Sequence, residues 1–497
     1  MLFGTNRLVA RTIEYGKTAG RPRVGERPEL GRTRALAAIA LTGLLSAGCG
    51  ARTGLEVDYH VPISVEDGGA KPDATPIFDA APDKDGPVIV NECLSGKYEL
   101  VLPKLIQENS WGGAVAWNGS DYGVFYNRKE GEIWGTYLKK FSNEGELVTS
   151  EVKVKSVGSE IEDPMAYLNG KAVWTGTGYG LSWDSLDQNN YSINFSVLDP
   201  QGVETKVIGK VHNGSISAWS PFTHNLIWNS EAKQFALSYD ACGAEVYKKC
   251  RSYLSLFSEN GNPVGDEKTV NDGATALAFQ PTMVWQKDSN AYRFVWADGR
   301  DHYGDPYKQV AELYSSVYDV NGNKIKGDAK LTAKGLVDWY PAQVSNGVEN
   351  LLLWHELNQD QGSSTVKYAR MGAMSDTLTP ESELELSVPD TRDKKGVQAV
   401  LSGSTYGVSL LAVRKNSSTE INYYKLFFSI INGSGKMPFG PVEVSATLPN
   451  KANCDFTSLT WTGSDYGLIF QCYTTEDAGM SRNSNLYFSR VRCLEGK

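Results

Sequence analysis

One octapeptide recurs along this chain. Trp117-Asn118-Gly119-Ser120-Asp121-Tyr122-Gly123-Val124 returns as Trp174-Thr175-Gly176-Thr177-Gly178-Tyr179-Gly180-Leu181 and as Trp461-Thr462-Gly463-Ser464-Asp465-Tyr466-Gly467-Leu468. A copy without the Trp stands at Leu401-Ser402-Gly403-Ser404-Thr405-Tyr406-Gly407-Val408. The tyrosines are spaced by 57, 227 and 60 residues, and the long gap is close to four short ones. A fixed period of this length is the signature of a repeat architecture. It predicts three decayed copies, and Trp228…Phe235, Trp285…Tyr292 and Val344…Leu351 stand where they should.

Each copy reads as a β-hairpin, with apolar, β-branched and aromatic residues flanking a Gly-containing break. A third strand follows each, from Ile133, Tyr191, Tyr253, Ala311, Val366, Tyr423 and Leu486. Turns such as Asn143-Glu144-Gly145 and Val320-Asn321-Gly322 then lead to a fourth. Four strands per repeat make one propeller blade. The seventh copy stops after its third strand, while an orphan strand, Lys97–Leu102, precedes the first hairpin. The expectation is an all-β, single seven-bladed β-propeller of four-stranded blades over residues 93–497, its last blade closed by the N-terminal strand. Closure removes two exposed sheet edges.

The segments ahead of the propeller differ in kind. Residues 1–48 are Arg-rich and end in the apolar run Ala35–Gly48, which is too short to span a bilayer and reads as an export signal. The basic lead is long, so translation starting further on, for example at Val24, is an alternative. Residues 49–92 are rich in Pro, Asp, Ala and Gly and read as a disordered acidic tether. Such a tether has a reach of about 35 Å. The formal charge is −9; the first 48 residues carry +5, leaving −14 on the rest. That balance excludes a nucleic-acid phosphate partner, which needs a basic face.

Apart from Cys49 there are six cysteines, an even number that suits disulfides in an exported chain. Cys454 and Cys472 flank the seventh hairpin symmetrically about Gly463, and Cys242 and Cys250 bracket one loop. Cys93 and Cys493 remain, beside the two strands that must meet. No Cys-x-x-Cys or neighbouring His suggests a metal, and neither metal nor cofactor is expected.

No nucleophile elbow, zinc motif or sialidase-type box occurs. The candidate binding residues lie in the two sets of loops that open on one propeller face. They are Trp111, Glu162, Asp163, Trp339 and Tyr340 from fourth-to-first connections, and Asp298, Arg300, Asp301 and His302 from a second-to-third connection. Several of the former precede proline, a residue tolerated at the start of a strand, as in Gln280-Pro281 and Tyr340-Pro341; the residue before each proline is expected to ring the central channel. The aromatics can stack on a sugar ring or pack between blades. The carboxylates could serve a cation, a sugar or paired acid–base chemistry, or form local salt bridges.

Two resemblances add to this. Ser46-Ala47-Gly48-Cys49 resembles the bacterial lipoprotein signal, with Leu45 one place further from the Cys than the usual pattern. It implies lipidation at Cys49, and Gly50 in place of Asp implies the outer membrane; plain secretion or a periplasmic location is the alternative. The repeat, with Val295-Trp296-Ala297-Asp298-Gly299-Arg300, resembles uncharacterised bacterial exported β-propellers, shifted by one residue at the Asp–Arg spacing. That resemblance implies the fold and is silent on activity. The expected role is a monomeric, membrane-anchored, non-catalytic binding or scaffold module for a surface protein or glycan. The alternative is a glycoside hydrolase or lyase using Glu162 and Asp163 with Asp298 or Asp301.

Overall fold

The computed structural model describes Cys93 and residues 96–494, apart from 132, 158–169, 188–189, 216–222, 243–249, 272–277, 303–310, 334–336, 359–362, 379–383, 389–390, 415–422, 450–451 and 475–483. The expected export signal and the expected tether, residues 1–92, lie outside the described residues. Among those residues no helix is long and apolar enough to cross a membrane.

Seven four-stranded antiparallel sheets follow one another around a ring. Blades 1 to 6 take their strands in sequence order from residues 110–157, 171–215, 224–269, 278–330, 337–385 and 391–443. Blade 7 combines Ala452–Trp461, Asp465–Thr474 and Ser484–Cys493 with Tyr98–Gln107, the first strand of the chain. Tyr98 pairs with Cys493 and Leu100 with Val491, so the closing ladder is the expected one, and it extends to Gln107 opposite Leu486. Two disulfides secure this blade. Cys93–Cys493 joins the ends across 400 residues, and Cys454–Cys472 crosses the first hairpin. In blade 3, Cys250 is disulfide-bonded, and Cys242 is its partner in the strand register. Such bonds belong to an oxidising compartment.

The repeat owes its form to contacts between blades. In five of the seven hairpins a Trp packs on the ring five or seven residues later: Trp117 on Tyr122, Trp174 on Tyr179, Trp228 on Phe235, Trp285 on Tyr292 and Trp461 on Tyr466, with centroids 4.5–4.9 Å apart. That ring then leans on the preceding blade, over the Gly that follows the equivalent ring there. Tyr179 covers Gly123, Phe235 covers Gly180, Tyr466 covers Gly407, and Tyr122 closes the circle over Gly467. Any side chain at those glycines would overlap the ring. The tyrosine hydroxyls reach the hairpin turn of the same preceding blade. Tyr179 accepts from Asn118 Nδ2 (3.3 Å), Tyr292 from Asn229 Nδ2 (3.1 Å) and Gln234 Nε2 (2.7 Å), and Tyr466 meets Ser402.

The apolar core is correspondingly divided. Seven buried clusters each fill the space between two successive blades, and the cluster joining blades 7 and 1 includes Ile106 from the closing strand. No cluster lies inside a single blade, because a sheet has no second layer of its own to pack on.

Candidate functional site

The innermost strands of blades 1, 4, 5 and 6 are each interrupted by a β-bulge. A bulge re-aims the local side chain and often marks the rim of a closed sheet. Each of these strands carries one bulge residue at positive φ: Gly112 (57°), Gln280 (57°), Tyr340 (50°) and Gly396 (61°). Glycine adopts this conformation freely, whereas Gln280 and Tyr340 store about 1–3 kcal/mol each. Both precede proline.

Hydrogen bonds from one blade to the next hold the bulges. Gly112 N donates to Gln471 Oε1 of blade 7 (2.5 Å), Gln280 N donates to Asp240 Oδ2 of blade 3 (3.1 Å), and Tyr340 N donates to Gln280 Oε1 of blade 4 (2.7 Å). Asp240 also accepts from Thr223 N (2.7 Å) and Thr223 Oγ1 (3.3 Å). Its carboxyl is only 1% exposed. Burial pushes it up to about 7, against the opposing pull of these donors. On the other face of blade 3, burial holds His224 down to about 3, with the charge of Lys171 adding to the effect.

Tyr340 is the exposed end of this chain of contacts. Its side chain is 39% exposed, against 5% for Trp111. The ring stands edge-on to His355 (5.6 Å) and to Trp339 (6.3 Å), and Trp339 in turn stands edge-on to Phe279 (6.0 Å). Tyr340 thus stands among aromatic rings at the surface, while Trp111 is buried in the position just before its bulge.

The acidic residues of blade 4 have a different occupation. Asp298, 1% exposed, accepts from Trp296 Nε1 (2.8 Å), Arg300 N (2.9 Å) and Arg300 Nη2 (2.7 Å). Arg300 also reaches Asp328 Oδ2 (2.8 Å) on the outermost strand and lies 4.5 Å above the Tyr314 ring. Asp301 accepts from Tyr314 Oη (2.7 Å) and Lys330 Nζ (2.8 Å), and Lys330 also pairs with Glu312. These partners belong to the third and fourth strands, so the network runs along the outer half of the blade. Of the alternatives open for this loop, the contacts fit local salt bridges: Asp298 and Arg300 pair with each other, and Asp301 pairs with Lys330 and Tyr314. His302 ends a short 3₁₀ turn, and Glu162 and Asp163 lie outside the described residues.

Sequence reasoning did not select Asp240, Gln280 or His355. For Gln280 the pre-proline position was the available signal. Asp240 offered none, since its role depends on a neighbouring blade. Among the described residues, no three His, Cys, Asp or Glu side chains are grouped to hold a metal ion.

No protein-family model matches the sequence, and no curated protein matches it. Among solved structures the chain is similar to an α-L-arabinanase from Penicillium chrysogenum (11% identity, TM-score 0.42, covering 68% of this chain and 96% of that one). It is similar to the β-propeller domain of the Trilobed protease from Pyrococcus furiosus (9% identity, TM-score 0.44, covering 78% and 95%). It is also similar to a protein of unknown function from Dyadobacter fermentans (8% identity, TM-score 0.42, covering 80% and 99%). Scores this low carry no inference about activity, and the structure of the chain itself is what identifies a seven-bladed β-propeller.

Proposed function

We propose that this protein is a non-catalytic binding propeller of the cell envelope, anchored through a lipid on Cys49, which takes a surface glycan at the mouth built around Tyr340. The observation that carries this reading is the exposed Tyr340 ring on a strained bulge, fixed by the Gln280 contact and backed by His355 and Trp339. Strain retained at a rim residue is a reason to suspect function there. A fixed aromatic ring offers an apolar face to the C–H groups of a sugar and a hydroxyl to its oxygens. It also loses little conformational entropy on binding.

The hydrolase reading needs two carboxyl groups about 5–9.5 Å apart across a cleft. Asp298 and Asp301 are bound within their own blade, and Asp240 is enclosed by backbone donors. Glu162 and Asp163, the other carboxylates of that reading, lie outside the described residues, so what supports the binding reading is the Tyr340 ring itself.

Two experiments test it. The mature chain should be retarded in native gels containing one of dextran, xylan or galactomannan, and Tyr340→Ala should abolish the retardation. Release of reducing ends from the retained polysaccharide would establish the enzyme instead, and retardation insensitive to Tyr340→Ala would remove the proposed site. For the anchor, wild type should retain label from a fatty-acid precursor and Cys49→Ala should not; equal labelling, or none, ends that part.

A further inference from the structure

We propose that Asp240 is a positioning residue for this mouth: through Gln280 it sets the pose of the Tyr340 ring two blades away, so that the state of its carboxyl governs how the ring is presented. Its consequence for ligand affinity rests on the reading of Tyr340 given above; the linkage between the three residues does not.

The contacts form a continuous relay. Asp240 Oδ2 accepts the Gln280 N–H, and Gln280 Oε1 accepts the Tyr340 N–H, at 3.1 and 2.7 Å. Gln280 and Tyr340 both sit at positive φ, where backbone is retained only while its surroundings hold it. Each is followed by proline, which fixes its own φ and has no N–H, so the bulges have little local slack.

The two oxygens of Asp240 are not equivalent. Oδ1 receives two donors from Thr223, and Oδ2 receives one from Gln280. A proton entering the carboxyl displaces least at Oδ2. There it places an O–H donor against the Gln280 N–H, and an ionised acceptor becomes a weaker neutral one. The Gln280 bulge then loses its main restraint, and the Tyr340 amide loses a fixed acceptor.

Several groups pack around Asp240 among the described residues. Across the sheet it faces Ser252, with Arg251 and Tyr253 on either side of that residue. From blade 4 it faces Gln280, and from blade 5 Tyr340. His224 belongs to the opposite face of blade 3, toward Lys171 and Asp184. His355 touches the Tyr340 ring rather than Asp240. Burial holds the Asp240 carboxyl up to about 7, which brings the relay's change of state to neutral pH.

The test places a single 3-fluorotyrosine at position 340 of the full mature chain and follows its ¹⁹F resonance from pH 5 to 9. A titration with its midpoint near 7 is expected in the wild type. Asp240→Asn, which keeps the shape and removes the proton, should abolish it. Gln280→Ala, which leaves the carboxyl in place and cuts the relay, should abolish it too. A flat wild-type profile overturns the proposal, as does a titration that persists in either variant: in Asp240→Asn it would belong to another group such as His355, and in Gln280→Ala it would mean that the Asp240 charge acts on the ring directly rather than through the relay. If the titration behaves as expected and no polysaccharide is bound, the relay stands and only the glycan reading falls.

Discussion

Tyr179 stands over Gly123 of the preceding blade so closely that a Cβ on that glycine would lie 2.9 Å from the tyrosine hydroxyl and 3.1 Å from Cε1 and Cζ of its ring. The Tyr-Gly pair of the repeat is thus two halves of an inter-blade contact, each half serving a different neighbour. Gly123→Ala should destabilise the protein by about 1–3 kcal/mol through overpacking. Combined with Tyr179→Phe, which removes the nearest atom, it should cost measurably less than the sum of the two single changes. Urea unfolding of the four proteins gives the coupling. Strict additivity would mean that the contact relaxes freely.

The two disulfides of blade 7 should differ in what they contribute. In the chain-entropy model a loop of 400 residues is worth about 6 kcal/mol and one of 18 residues about 3 kcal/mol. Replacing Cys93 and Cys493 together by Ser should therefore lower the unfolding midpoint further than replacing Cys454 and Cys472. The reverse order would mean that the unreduced ring holds its ends together without the bond.

Asp240 and His224 should give stability opposite dependences on pH. The folded carboxyl near 7 keeps a proton that the unfolded chain, at its ordinary 3.8, has lost, so this group's stability falls as pH rises between the two. His224, near 3 in the fold against an ordinary 6.5, lacks a proton that the unfolded chain holds, so its stability is lost as pH falls. Each slope approaches about 1.4 kcal/mol per pH unit. Between pH 4.5 and 6.5 they oppose one another. Relative to wild type, Asp240→Asn should gain stability with rising pH across this window, and His224→Gln should lose it. Parallel profiles for all three proteins would contradict the assigned burial.

Arg300 should prove structural. It is the cation shared by Asp298 and Asp328, whose side chains are 0% and 5% exposed. Arg300→Ala leaves two buried carboxylates without it and should cost about 3–5 kcal/mol in urea unfolding at pH 7. A loss under about 1 kcal/mol would return Arg300 to the candidates for ligand contact.

The architecture was legible because its period was. Ring and glycine recur at one spacing, and even the copies that had lost their motif, such as Val344…Leu351, kept the alternation that pairs Val344 with Leu351. The strand that closes the ring was legible from a count: one copy lacked a fourth strand and one strand lacked a copy. The site was far less so. Asp298, Arg300 and Asp301 looked functional because charged residues crowd a loop, but the partners that occupy them, Asp328 and Lys330, come from a strand about thirty residues later. Asp240 looked like any loop-edge carboxylate. Its significance lies in a backbone amide 40 residues away, and no local pattern encodes that.

Among the described residues the strand Tyr98–Gln107 has one ladder partner, Ser484–Cys493, which follows every other described strand in the chain. The earliest piece of the barrel-like ring must therefore wait, unpaired, for the whole of the remaining polypeptide to arrive. Until then blade 7 has no outer rail and blade 1 has no wall behind it. A chain that lacks Ser484–Cys493 forfeits both at once, so closure of the ring is a single late locking event rather than a gradual accumulation of order.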